Sequence, residues 1–297
     1  MKARDFTLYA AVVANVAIAV TKFIAAAITG SASMFSEALH SVVDTGDGLL
    51  VLLGLRLSHR PPSPRHPYGH GLEVYFWSMV VAMSIFGMGG VVSIYEGISR
   101  MVHPQHLGSA TLGYAVLACS FVFEGISWLI SMKAFGRVRG RKSLWTAIKQ
   151  SKDPTTFVVV LEDSAALIGI LIAAAGLTIT KLTHEPRFDA AGSILIGLLL
   201  VTSGIVLGRE TWSLMIGESA SPALVDDIQR IASQRSELGE VQKPRTLHLG
   251  PDHIHVDLDI HAHADVTARE LGELVEWLEK AVQAAHPEVG RISIRLT

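Results

Sequence analysis

The chain has 297 residues, of which 49% are apolar and only 18% are charged, against about 25% charged in a typical soluble domain. A formal net charge of -2 gives no reason to expect nucleic acid as a partner, and the lone Cys119 excludes an internal disulfide. Charge is also unevenly distributed: long apolar stretches fill the first part, and Glu, Asp, Lys, Arg and His crowd the end, which predicts a membrane domain over 1–217 and a soluble domain over 218–297.

Six apolar stretches reach the roughly 20 residues that a helix needs to cross a bilayer: 6–29, 32–57, 75–99, 111–134, 154–181 and 189–209. The first is too long for the apolar core of a signal peptide and reads as a retained span. Asp153-Pro154 predicts an N-cap followed by proline at the first helical position, and Asp189 is expected to cap the sixth span in the same way. Lysine and arginine set the orientation. Lys2, Arg4, Arg56, Arg60, Arg65 and seven more between Lys133 and Lys152 fall on one side, and Arg100, Lys181 and Arg187 on the other. The positive-inside rule therefore places both termini and the soluble tail in the cytoplasm. The expected location is a multi-pass position in a prokaryotic cell (inner) membrane.

Several groups that hydrocarbon rejects lie inside these spans. Glu37, His40 and Asp44 fall on one face of the second span, because separations of three, four and seven residues return to the same side of a helix. Glu162 and Asp163 interrupt the fifth. Asp44 precedes Arg56 by twelve residues and Asp163 follows Asp153 by ten, which puts the two carboxylates at similar depths of roughly 18 and 15 Å from the cytoplasmic ends. On the fifth span Ala165, Gly169 and Ala173 form a small-residue stripe that permits close helix approach. Imidazole with carboxylates suits a divalent transition metal, zinc first; magnesium and calcium prefer oxygen ligands alone. The same groups bind protons, so metal and proton compete, which is the basis of an antiporter. A proton relay without metal is the bland alternative on these residues alone.

The run S-A-S-M-F-S-E-A-L-H-S-V-V-D (Ser31 to Asp44), followed by H-P-Y-G-H-G (His66 to Gly71), resembles the second span and following loop of the cation diffusion facilitators. The stretch D-P-T-T-F-V-V-V-L-E-D-S-A-A (Asp153 to Ala166) is similar to the branch containing the mitochondrial zinc transporters of animals. The resemblance implies an α-helical membrane protein with six transmembrane helices and a small cytoplasmic ferredoxin-like α/β domain. It implies a homodimer that exports zinc, or manganese, iron or cobalt, in exchange for protons by alternating access, with the metal as transported substrate and no cofactor. Carried over, the site comprises His40 and Asp44 with Asp163. Most members have histidine four residues before the last aspartate, where this chain has Val159, so Glu162 is the expected fourth ligand and Glu37 its alternative. A passive metal channel and an intramembrane metallohydrolase are the competing classes; the latter lacks an H-E-x-x-H pattern, and the chain is expected not to be an enzyme.

Other polar groups divide by position. Glu124 in the fourth span, neutralised by Lys22 or carrying protons, and Asp47, one turn from Asp44, are candidates for the proton or metal path. Asn15 is expected as a helix-packing residue and Glu96 as an interfacial one. His66 and His70, with Glu73 nearby, match a position that carries a second metal site in some members, although Ser63 stands where an aspartate would assist. In the tail, helices are expected over Pro222–Gln234 and Thr267–Ala285 and strands over Pro244–Leu249, His253–Ala262 and Arg291–Leu296. The second strand alternates His253, His255, Asp257, Asp259, His261 and His263 with Ile254, Val256, Leu258 and Ile260, the period of a half-buried strand. Its polar face makes His253, His255, His261 and His263 weak metal candidates, since Arg295 on the last strand would repel a cation. The tail is read first as a dimerisation module.

Overall fold

The computed structural model describes residues 3–105, 108–139, 154–261, 263 and 266–296. Among the described residues, six long helices occupy the first three quarters of the chain: α1 (Ala3–Thr29), α2 (Ala32–Ser58), α3 (Glu73–Val102), α4 (Ala110–Arg139), α5 (Pro154–Thr183) and α6 (Arg187–Met215). Each coincides with an expected span and overruns it by up to a few residues, because backbone hydrogen bonding continues past the edge of the apolar stretch. Their breaks follow local chemistry. Gly30 (φ 66°) ends α1 in the left-handed conformation, with its N–H on the carbonyl of Ala26 at 2.8 Å. The Pro61-Pro62 pair lies just beyond α2, and Gly217 (φ 99°) follows α6. Asp153, expected to cap α5, lies outside the described residues.

The chain divides into two units. The first takes α1, most of α2, and Trp77–Thr211. Within it, α3 and α6 pack backbone against backbone. A Cβ on Gly197 would fall 2.8 Å from the carbonyl oxygen of Gly90, one on Gly90 2.8 Å from the amide nitrogen of Val201, and one on Gly204 2.9 Å from the carbonyl of Ala82. Small residues allow such approach, and the gain is van der Waals contact that lipid cannot match. In the middle of α3, Ile85–Val91 widens into a π-helical segment, with the N–H of Val92 reaching the carbonyl of Gly87; such wide turns are frequent at functional sites. On the other side α4 packs along α5, joined by Trp128 Nε1 donating to Ser164 Oγ (3.0 Å) and by the Tyr114 and Thr178 hydroxyls at 2.9 Å.

Asp189 corrects the sequence expectation. It lies inside α6 rather than before it, and its carboxylate caps a different helix. Oδ2 accepts from the N–H of Ala32 (2.6 Å) and Ser33 (3.4 Å), and Oδ1 accepts from the hydroxyls of Ser31 (2.7 Å) and Ser33. The N-terminus of α2 is therefore tied to α6. A second link is the Ser36–Ser193 hydroxyl pair at 2.7 Å, with Ser193 also donating to the Ser93 carbonyl of α3.

The second unit takes Gly54–Phe76 and Trp212–Thr297. Its folded part runs α7 (Pro222–Ala232), β1 (Glu240–Val241), β2 (Arg245–Gly250), β3 (His253–His261), α8 (Ala268–Ala285) and β4 (Val289–Leu296). This is a small α/β domain of the expected class. β3 is central. It pairs with β4 in parallel on one edge, and antiparallel with β2 and then β1 on the other. The short β1 had no strand pattern in the sequence. Ile254, Val256, Leu258 and Ile260 turn inward to meet Ile228 of α7 and Leu274, Leu278 and Val282 of α8. Ser221 caps α7 ahead of Pro222, and Thr267 and Glu270 form a capping box on α8. The Thr267 N–H and hydroxyl hold the Glu270 carboxyl below its ordinary range. The loop after α2 belongs to this unit: Gly71 lies so close to Leu249 that a Cβ would meet its carbonyl oxygen, and the Tyr68 ring meets His255 edge-on at 6.0 Å.

Two substitutions test this architecture by thermal unfolding of the full chain in detergent. Gly197→Leu is expected to lower the midpoint by several degrees through the clash with Gly90 and Ile94, whereas Gly125→Ala, with nothing within 4 Å of its Cβ position, leaves it unchanged. Asp189→Ala removes the shared cap of α2 and is expected to cost about 2 kcal/mol, the upper end for a helix cap; an unchanged midpoint would show that Ser31 and Ser33 suffice.

Candidate metal site

The polar face of α2 turns toward α1, α4 and α5. Asp44 of α2, Glu124 of α4, and Glu162 and Asp163 of α5 line one cavity of about 230 Å³, together with Ser127 and Val159. Four carboxylates from three helices thus converge at one depth of the bundle, as the spacing of Asp44 and Asp163 predicts. Glu162 is nearly buried, and its Oε1 has no hydrogen-bond partner among the described residues. Carboxylates packed this closely repel one another, and a bundle surrounded by lipid offers little water to weaken that repulsion. A cation or protons relieve it.

Asp163 is held by two hydroxyls. Ser131 donates to Oδ2 at 2.7 Å, and Ser127 lies 3.3 and 3.2 Å from the two oxygens. Sequence reading missed both serines. The signal was present, since Glu124, Ser127 and Ser131 recur at three and four residues and so share a face of α4. Val159, at the position where most relatives carry histidine, does face the cavity and contributes only an apolar wall.

The other expected ligands sit differently. His40 is buried, 3% exposed, with neither ring nitrogen hydrogen-bonded among the described residues, yet it is not among the cavity-lining side chains. It lies one turn from Asp44 along α2. An imidazole buried with both nitrogens unsatisfied is costly, which fits a group whose partner is a transient ligand. Glu37, the alternative fourth ligand, is committed elsewhere: its Oε2 is 3.2 Å from Lys22 Nζ, and both side chains are wholly buried. Lys22 reaches Glu124 as well, at 3.9 Å, so the expected neutralisation of Glu124 is shared with Glu37. Asp47 is buried one turn beyond Asp44, within electrostatic range of Asp44 and Glu162. Asn15, expected to pack between helices, is exposed and lines the cavity. Glu96 pairs with Arg100 at 2.7 Å.

Outside the helix bundle the metal candidates are not assembled. The rings of His66 and His70 lie 4.6 Å apart in the loop, where Gly69 (φ 89°) turns the chain and Glu73 opens α3. On β3, His253 and His261 are exposed and His255 pairs with Asp257 at 3.2 Å. Asp259 is taken by Arg245 (3.3 Å) and Arg295 (3.6 Å), and His263 lies beyond the strand. No group of three or more His, Cys, Asp or Glu is arranged to hold a metal among the described residues. The carboxylates at the membrane cavity line a common space without standing at mutual metal-ligand geometry.

Comparison with known proteins agrees with this reading of the chain. Residues 8–216 match the family model of the cation efflux transmembrane domain. The proton-coupled zinc antiporter SLC30A9, mitochondrial, of Xenopus laevis is 40% identical over 71% of this chain and 37% of its own length; its Homo sapiens counterpart is 32% identical over 90% and 48%. The manganese efflux system protein MneP of Bacillus subtilis (strain 168) is 20% identical over 96% of this chain and 93% of its own. The chain spans half or less of the length of the SLC30A9 proteins. It belongs to the cation efflux family, the cation diffusion facilitators that its α2 and α5 motifs resemble, and is a multi-pass membrane protein of that family.

Proposed function

We propose that the chain is a divalent metal carrier that moves zinc across its membrane in exchange for protons, by alternating access. The observation that carries this reading is the convergence of Asp44, Glu124, Glu162 and Asp163 on one cavity within membrane-spanning helices. Intramembrane carboxylates mark ion pathways, and the names of the SLC30A9 relatives support zinc and proton coupling. Asp44 and Asp163 bind the ion directly, Glu162 supplies a further oxygen, and His40 joins by rotation of its ring or a small movement of α2. Ser127 and Ser131 orient the Asp163 carboxylate. Metal release requires protons on the same carboxylates, so each direction of the cycle exchanges one species for the other.

Manganese is the second reading, favoured by one observation. The cavity is lined by carboxylates and no imidazole, and oxygen-rich sites suit manganese better than mixed nitrogen sites do. The carrier is proposed to act as a homodimer through its α/β tail, with both termini on the lysine- and arginine-rich cytoplasmic side and transport running outward.

Purified protein in sealed liposomes with an internal zinc dye and an imposed pH gradient tests the proposal. Wild type is expected to give gradient-dependent zinc flux, and Asp44→Ala and Asp163→Ala to reduce it to background while remaining folded. Flux indifferent to the gradient would overturn proton coupling in favour of a channel or uniporter, and normal flux in both variants would overturn the site. Ser127→Ala combined with Ser131→Ala removes two hydrogen bonds to Asp163 and is expected to raise the KM for zinc about tenfold with a smaller change in kcat.

A further inference from the structure

Lys22 is the one wholly buried lysine or arginine among the described residues, and it lies inside the carboxylate bundle. Its ammonium donates to Ser41 Oγ at 2.8 Å and lies 3.2 Å from Glu37 Oε2 and 3.9 Å from Glu124 Oε1. Three helices thus meet on one nitrogen: α1 supplies it, α2 and α4 supply its partners. The space for Glu37 is built into α5, because Gly169 stands where any Cβ would collide with Glu37 Oε1. Of the two carboxylates that Lys22 engages, Glu124 lines the cavity with Asp44, Glu162 and Asp163, and Glu37 does not.

A lysine here has an energetic cost in desolvation that its partners must offset. Its geometry sets how many oxygens the cavity can offer. While Glu124 and Glu37 answer to the ammonium, a cation is left with the carboxylates of Asp44, Asp163 and Glu162 and, once it joins, the imidazole of His40. Zinc is content with four ligands in a tetrahedron. Manganese and magnesium favour six oxygens.

We infer that Lys22 is a specificity-determining positioning residue: by pairing with Glu37 and competing with the transported ion for the oxygens of Glu124 at the cavity wall, it keeps the coordination number low and favours zinc over manganese. This inference rests on the metal-carrier reading given above. Lys22 never touches the ion. It acts through the two glutamates, and its role is separable from theirs.

The experiment compares zinc and manganese flux into proteoliposomes for the full chain and its variants. Lys22→Met releases both glutamates and is expected to raise the manganese-to-zinc ratio of kcat/KM about tenfold, chiefly through a lower KM for manganese. Lys22→Arg retains the cation and keeps the ratio near that of wild type. Because the unpaired carboxylates of Lys22→Met can prevent folding, the double variant Lys22→Met with Glu37→Gln is measured beside it; this leaves Glu124 released and is expected to show the same direction of shift. Adding Glu124→Gln to the double variant is expected to return the ratio toward wild type. A merely structural lysine would lower both fluxes alike. An unchanged ratio in the folded double variant, with normal wild-type zinc flux, overturns the inference and leaves the carrier reading intact. Absence of any metal flux in the wild type overturns the carrier reading and this inference with it.

Discussion

Carboxylates cannot be left charged and unpaired in a bundle surrounded by hydrocarbon. Glu37, Asp44, Asp47, Glu124, Glu162 and Asp163 all lie within α2, α4 and α5, and among the described residues Lys22 of α1 is the only lysine or arginine that pairs with any of them. One ammonium answers two of these carboxylates, and two serines answer a third. Of the remainder, Asp44 and Glu162 line a cavity, and Asp47 is buried one turn beyond Asp44. The excess of acid over base is what makes the bundle receptive to cations, and the hydroxyls and ammonium fix where in the bundle that excess is felt.

The helices divide by how they are held. α3 and α6 meet chiefly through glycines at backbone contact, with one hydrogen bond from the Ser193 hydroxyl to the Ser93 carbonyl. The helices α1, α2, α4 and α5 also meet through charged and hydroxyl groups. A shape-only contact is indifferent to charge. A polar contact is not, and the Ser36–Ser193 pair and the Asp189 carboxylate attach α2, which carries such contacts, to α6.

Much of this was legible in the residues. Apolar length located all six long helices, and the period-two alternation of β3 gave its faces because a strand has no other way to bury Ile254, Val256, Leu258 and Ile260. The meeting of Asp44 with Asp163 followed from helix rise and the positions of Arg56 and Asp153. What sequence could not provide was rotation and choice of partner. Glu37 shares a face with Asp44, yet Lys22, fifteen residues earlier, captures it. His40 lies on the same face and stays outside the cavity, because a one-turn displacement decides which side chains reach a common point. Ser127 and Ser131 were overlooked because serine in a membrane helix usually bonds to its own backbone, as Ser164 and Thr178 do here. β1 is two residues long, too short for any periodicity to show.

The cap on α2 bears on how the chain is assembled during synthesis. Ser31 Oγ accepts from the N–H of Met34 at 3.1 Å, a bond available as soon as the second span has formed. The Asp189 carboxylate that takes the N–H of Ala32 is 157 residues away and emerges only when the last span is made. The head of α2 is therefore closed in two stages, first by its own serine and then by a residue from the far end of the membrane region. Until the second stage, polar donors at that end must rely on water or lipid headgroups, which keeps the end at the bilayer surface. Insertion of the helix that carries Asp189 then fixes the head of the helix that carries His40 and Asp44.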